Sequence, residues 1–132
     1  MITQQKIKTV LDELRENGAA DISVFGGRVQ AKYFPQDAKL TLTTKIYDGV
    51  NFFPKSVRDC LKKEPPMPPS DIQTYTTLEE ESFQAFLHYL GSVERVDAEK
   101  LRKLLEEFGW IAEEWRYYLD DCDKKDLIHV LQ

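Results

Sequence analysis

Catalysis needs reactive side chains brought together, and this chain offers few. Its two histidines, His88 and His129, each sit inside an apolar run, the setting of a structural histidine rather than of a general base. Glu79-Glu80-Glu81 is a run of adjacent turn carboxylates, which point apart and stay solvated. Asp120-Asp121-Cys122-Asp123 lacks the alternating oxygen ligands and the central glycine of a calcium loop. Gly26-Gly27 does not run into a helix, so it reads as a turn and not as a phosphate cradle. No serine stands in a nucleophile-elbow context. Cys60 and Cys122 fit no metal or redox spacing and read as two free thiols in a reducing compartment, Cys60 half-buried on a helix. The residues point away from an enzyme, and neither a cofactor nor a metal is expected.

The 132 residues suit one domain, 1–132, with a single sizeable core. Hydrophobic residues at 42% and charged residues at 31% are the balance of a globular chain, not a disordered one. A formal net charge of −5 argues against nucleic acid, whose binding leaves a basic footprint. The N-terminal residues lack the apolar run of a signal peptide, and no stretch approaches the roughly 20 apolar residues that cross a bilayer. A cytoplasmic acidic protein that does not engage membranes is the expectation.

Elements able to position binding residues are easier to read. Gln4 to Asn17 predicts a helix with Ile7, Val10, Leu11 and Leu14 on one face, Thr3 as its cap, Ile2 stapled onto Ile7 and Gly18 as its stop. The period then changes from helical to alternating. Ile22–Phe25 and Arg28–Phe34 flank Gly26-Gly27 as a hairpin, and Lys39–Tyr47 alternates with Leu40, Leu42, Thr44 and Ile46 on one face. Pro54 opens a short helix whose face holds Phe53, Val57, Cys60 and Leu61, and Pro65–Pro69 ends it as a stiff spacer. Ile72–Leu78 and Ser82–Leu90 read as two more strands. Phe83, Phe86, Leu87 and Leu90 also fit a helical period, so residues 78–90 remain open between strand and helix.

The last long element, Val96 to Leu119, carries two apolar stripes. Leu101, Leu104, Leu105, Phe108, Ile111, Ala112, Trp115 and Leu119 form the broad one, with Asp97 as cap and Val96 stapled onto Leu101. Trp110 and Tyr117 stand off that face, with Glu114 between them. Large amphipathic rings of this kind are enriched at interfaces. Either a separate tail element, Leu127–Leu131, covers them, or they mark a contact. The fold class is α+β: an N-terminal helix, an antiparallel sheet of about five strands interrupted by a short helix, and a long C-terminal amphipathic helix.

This order resembles the class I type III secretion chaperones and the related YbjN-like proteins. Lys100–Phe108 followed by Ala112-Glu113-Glu114-Trp115-Arg116-Tyr117-Tyr118-Leu119 is similar to the family's final helix, with its leucines, phenylalanine, alanine and Trp-Arg. Asn17–Asp21 departs from the leucine-proline segment common in the family after the first helix, and Pro65–Pro69 is richer in proline. The resemblance implies a bacterial, secretion-chaperone-like homodimer that holds the extended N-terminal segment of a secreted effector. It makes Ile7, Val10, Leu11 and Leu14, with Val29, Ala31 and Tyr33 as exposed sheet residues, candidate client contacts. Val57 and Leu61 on the short helix, or the second strand pair, become candidate dimer surface, with Trp110 and Tyr117 as further interface candidates. The alternative is a YbjN-like regulator or immunity-type inhibitor that binds one folded partner. A small enzyme would need a deep pocket lined by His88 and carboxylates.

Overall fold

The structure is a computed structural model. It describes residues 2–63, 65–93, 95 and 97–131, with side chains as far as residue 124. The expected staple of Val96 onto Leu101 lies outside the described residues.

Helix α1 (Gln4–Asn17) has the predicted limits because both of its ends are chemically marked. The Thr3 hydroxyl accepts the Lys6 N–H, and Gly18 takes a left-handed φ of 74° while its N–H reaches the Leu14 carbonyl. Five antiparallel strands follow: β1 (Ala19–Val24), β2 (Gly27–Phe34), β3 (Lys39–Asp48), β4 (Thr74–Glu79) and β5 (Gln84–Ser92). They form one sheet in the order β1-β2-β3-β5-β4. Residues 78–90 are therefore two strands and their turn. Helix α2 (Lys55–Lys62) interrupts the strands after β3, and α3 (Ala98–Leu131) ends the chain.

One face of the sheet is covered and the other is open. Ala20, Ile22, Val24, Val29, Ala31, Leu40, Leu42, Thr44, Ile46, Ala85 and Leu87 face inward and are buried. Helices α1 and α3 cover them, and α2 packs on α3. The broad stripe of α3 closes this core: Leu101, Leu105, Phe108, Ile111, Ala112, Trp115 and Leu119 are buried. Each large side chain so placed contributes about 1.5–3 kcal/mol. Asp97 caps the helix through its carboxylate, which accepts the Glu99 N–H at 2.9 Å.

Three expectations are corrected. The β1–β2 turn is made by Phe25 and Gly26, both at positive φ (49° and 76°), and Gly27 pairs with Val24 inside the sheet. Gly27 serves a different purpose: a Cβ there would run into the Arg116 guanidinium. Second, Leu127–Leu131 is not a separate element. No glycine or proline lies between Leu119 and Leu127, so α3 continues to Leu131. Third, Cys60 and Cys122 are not free thiols but a disulfide joining α2 to α3. That pairing depends on the uninterrupted helix, which carries Cys122 past the sheet to α2, and it removes the thiol argument for a reducing compartment.

Arg116 fastens α3 to the sheet. Its Nε and Nη2 donate to the Lys45 carbonyl at 3.1 and 3.0 Å, and Nη2 also donates to the Thr44 hydroxyl at 2.9 Å. Strand β3 changes register against β5 between Lys45 and Tyr47, a bulge beside that carbonyl. Thr44 passes the contact on by donating to the Arg28 carbonyl at 2.7 Å. Burial pushes the Arg116 pKa below its ordinary value.

Two measurements test these contacts. Gly27→Ala should lower urea-unfolding stability by about 1–3 kcal/mol by displacing the guanidinium from its acceptors, and by clearly less in an Arg116→Ala background. Cys122→Ser should cost about 2–4 kcal/mol, since the bond closes a long loop. Thiol labelling of the unreduced denatured chain should modify neither cysteine.

Candidate functional site

Three surfaces are available to a partner. The first lies between α1 and the free edge of the sheet. Strand β1 pairs with β2 alone, so its other side presents unpaired backbone groups. Beside it runs a groove of about 450 Å³ lined by Thr3, Gln5, Lys6, Thr9, Val10 and Glu13 of α1 and by Asp21, Ile22 and Ser23 of β1. Val10 and Ile22 supply an apolar floor, and the other lining side chains are polar.

The second surface is the outer face of the sheet. Outward positions on β1, β2 and β3 are polar apart from Ala19 and Phe34: Asp21, Arg28, Gln30, Lys32, Lys39, Thr41, Thr43 and Lys45. Across β5 and β4 the same face turns apolar, with Phe86, His88 and Leu90 beside Tyr75 and Thr77. Tyr75 is 54% exposed and Leu90 55%. The rings of Tyr75 and His88 stack with centroids 5.0 Å apart, and Phe86 lies 6.4 Å from His88. Both imidazole nitrogens meet a hydroxyl, Nδ1 that of Thr43 at 3.2 Å and Nε2 that of Thr77 at 2.7 Å. Burial alone pushes the His88 pKa below its ordinary value.

The third surface is the ridge of α3. Trp110 is 37% exposed and Tyr117 64%. The Tyr117 hydroxyl donates to Glu113 at 3.0 Å, and that acceptor raises the phenol pKa.

Most residues expected to touch a client or a second copy instead build the core. Ile7, Val10, Leu11 and Leu14 are buried, and α1 has no second apolar stripe to offer. Of these four, Val10 also reaches the groove. Val29 and Ala31 face the helices and are buried, not exposed. Cross-strand partners share a face, and Val29 and Ala31 lie opposite Thr44 and Leu42, both inward. Tyr33, opposite Leu40, is partly buried on the same side. On α2, Val57 is fully buried, and Leu61 packs partly against the core. Among the described residues no group of three His, Cys, Asp or Glu side chains could hold a metal ion, and no helix is long and apolar enough to cross a membrane.

No protein-family model matches the sequence, and no curated protein matches it. Solved structures do resemble the fold. A chain of the ExoT–SpcS complex from Pseudomonas aeruginosa superposes with a TM-score of 0.55 at 16% identity, over 82% of this chain and 91% of that one. A chain of the HopA1–SchA chaperone–effector complex gives 0.58 at 14% identity, over 89% and 99%. A chain of the ExsC–ExsE complex gives 0.60 at 14%, over 89% and 96%. This is a type III secretion chaperone-like fold. The superpositions cover 82–89% of this chain and 91–99% of each matched chain. Within this chaperone-like fold, the second strand pair was expected as a candidate dimer surface, but its outward residues around His88 were not singled out. The signal was available in the alternation of Phe86, His88 and Leu90, read above as ambiguous.

Exposure makes a direct prediction. Tyr117→Ala should change unfolding free energy by no more than about 0.5 kcal/mol and Trp110→Ala by about 1–2 kcal/mol, whereas Trp115→Ala should cost about 3–5 kcal/mol. Denaturant titration followed by far-ultraviolet circular dichroism separates these cases.

Proposed function

We propose that this chain is a non-enzymatic protein-binding module, a dimeric chaperone-like holder of an extended client segment. The observation that carries the reading is the free β1 edge with a floored groove beside it, in a fold similar to chains of chaperone–effector complexes. An extended segment added to β1 gains main-chain hydrogen bonds, and its alternate side chains drop toward Val10 and Ile22. A segment held in this way is kept from pairing with its own kind. By analogy with the chaperone–effector structures, the client is the N-terminal segment of a secreted effector.

The second copy belongs on the outer face of β4 and β5. Its centre is uncharged, and its margins differ in sign: Lys32 and Lys39 on β2 and β3, Glu79 at the end of β4. Arg28, Lys45 and Glu80 are already ion-paired with Asp21, Asp48 and Arg58. A two-fold axis along β5 sets each acidic margin against the basic margin of the other copy, as a self-complementary dimer requires. The second reading, a YbjN-like regulator or immunity-type inhibitor of one folded partner, draws on the convex ridge with Trp110 and Tyr117.

Light scattering should give about twice 15.4 kDa for the wild type, and Leu90→Asp should reduce it to the monomer without loss of helicity. Thr9→Arg fills the groove. It should weaken a co-expressed client encoded beside this gene by about tenfold or more while leaving the dimer intact. Client binding that ignores Thr9→Arg but is abolished by Trp110→Ala would transfer support to the folded-partner reading.

A further inference from the structure

His88 stands in the middle of the face assigned above to the second copy, and its surroundings distinguish between its two charge states. Thr43 and Thr77 hold one nitrogen each, and Tyr75 stacks on the ring. In the neutral ring one nitrogen donates and the other accepts, so one threonine hydroxyl accepts and the other donates. In the imidazolium both nitrogens donate. Both hydroxyls then accept, and their own hydrogens need acceptors elsewhere. Water supplies these on an open face, but Phe86 and Leu90 do not.

No carboxylate touches the ring to compensate the charge. On β3 the nearest charged outward residue is Lys45, opposite Phe86, with Lys39 farther along. On β4 the outward titratable groups are Tyr75 itself and Glu79, which lies opposite Gln84 at the strand's end. Strand β5 adds none at Phe86, Leu90 or Ser92. Lys32 of β2 lies beyond Thr41, which is opposite Leu90. No helix covers this side. Lys45 is paired with Asp48, so no nearby charge favours protonation of the ring, and burial disfavours it.

We propose that pairing through this face is gated by the charge of His88, with only the neutral imidazole able to be covered. The proposal rests on the assignment of the second copy to the β4–β5 face. The sign follows from linkage: a histidine whose pKa falls on association stabilises the dimer above its free-monomer pKa, and that stabilisation is lost as pH falls through it. Burial already lowers the free pKa from its ordinary value, so the loss falls on the acidic side of neutrality. A two-fold dimer covers the residue twice, so log Kd approaches a slope of about two per pH unit below that point.

Sedimentation velocity of the full chain at about pH 7.5 and about pH 5.5 tests it, with His88→Gln as the variant that keeps both threonine contacts but cannot charge. The wild-type dimer constant should weaken about tenfold or more, and that of His88→Gln should stay within about a factor of two. Parallel weakening of both proteins, or of neither, overturns the gate and leaves the dimer standing. A wild type that is monomeric at about pH 7.5 overturns the pairing surface and the gate with it. Proton NMR of the wild-type imidazoles reads the same linkage without a variant. The His88 resonance should titrate at lower pH in concentrated than in dilute protein, and an identical midpoint at both concentrations overturns the proposal.

Discussion

A half-buried cation holds this fold in register. The Arg116 guanidinium lies over Gly27, loses part of its water and finds hydrogen-bond acceptors in the Lys45 carbonyl and the Thr44 hydroxyl. A charge so placed must find its acceptors at fixed positions, because an unpaired donor in a dry site costs more than the bond it lost. Its Nη1 already lacks a partner. The apolar stripe from Leu101 to Leu119 supplies most of the burial, but hydrophobic packing alone tolerates sliding. Arg116 removes that freedom by tying the helix to three strands: β3 directly, and β2 through Gly27 and the Thr44–Arg28 bond, which in turn seats β1. The bulge in β3 and the glycine at the start of β2 are adaptations to this one contact.

With α3 seated, the open surfaces follow. Helices occupy one face, so the other face of the sheet has no cover from its own chain. Strand β1 ends the sheet on one side and has only a groove and α1 beside it. The β4–β5 pair carries aromatic and aliphatic side chains outward, while β1 to β3 carry mostly polar ones. A chain of this size has enough apolar surface for one core plus a limited remainder. The remainder lies partly on β4 and β5 at Tyr75 and Leu90 and on the α3 ridge at Trp110 and Tyr117, and partly in the turns at Phe25, Val50 and Phe52.

Local chemistry was legible in the sequence where it acts locally. The limits of α1 follow from Thr3 and Gly18, and the α+β order follows from changes in apolar period. Residues 78–90 stayed ambiguous because Phe83, Phe86, Leu87 and Leu90 satisfy a helical period, and pairing of β5 with both β3 and β4 decides for strand. Side-chain facing failed at Val29 and Ala31 because it requires the register with β3. The turn was displaced by one residue because Gly27 answers to Arg116, far away in sequence. The Cys60–Cys122 bond was hidden for the same reason, since no spacing rule spans such a separation. Ile7, Val10, Leu11 and Leu14 were correctly read as one face, and its partner proved to be the chain's own sheet.

The disulfide has a topological consequence. It closes residues 60–122 into a ring, with α1 and the first three strands hanging from one side. A chain with such a ring cannot be drawn out in single file, because anything pulling on either end meets two backbones abreast at the crosslink.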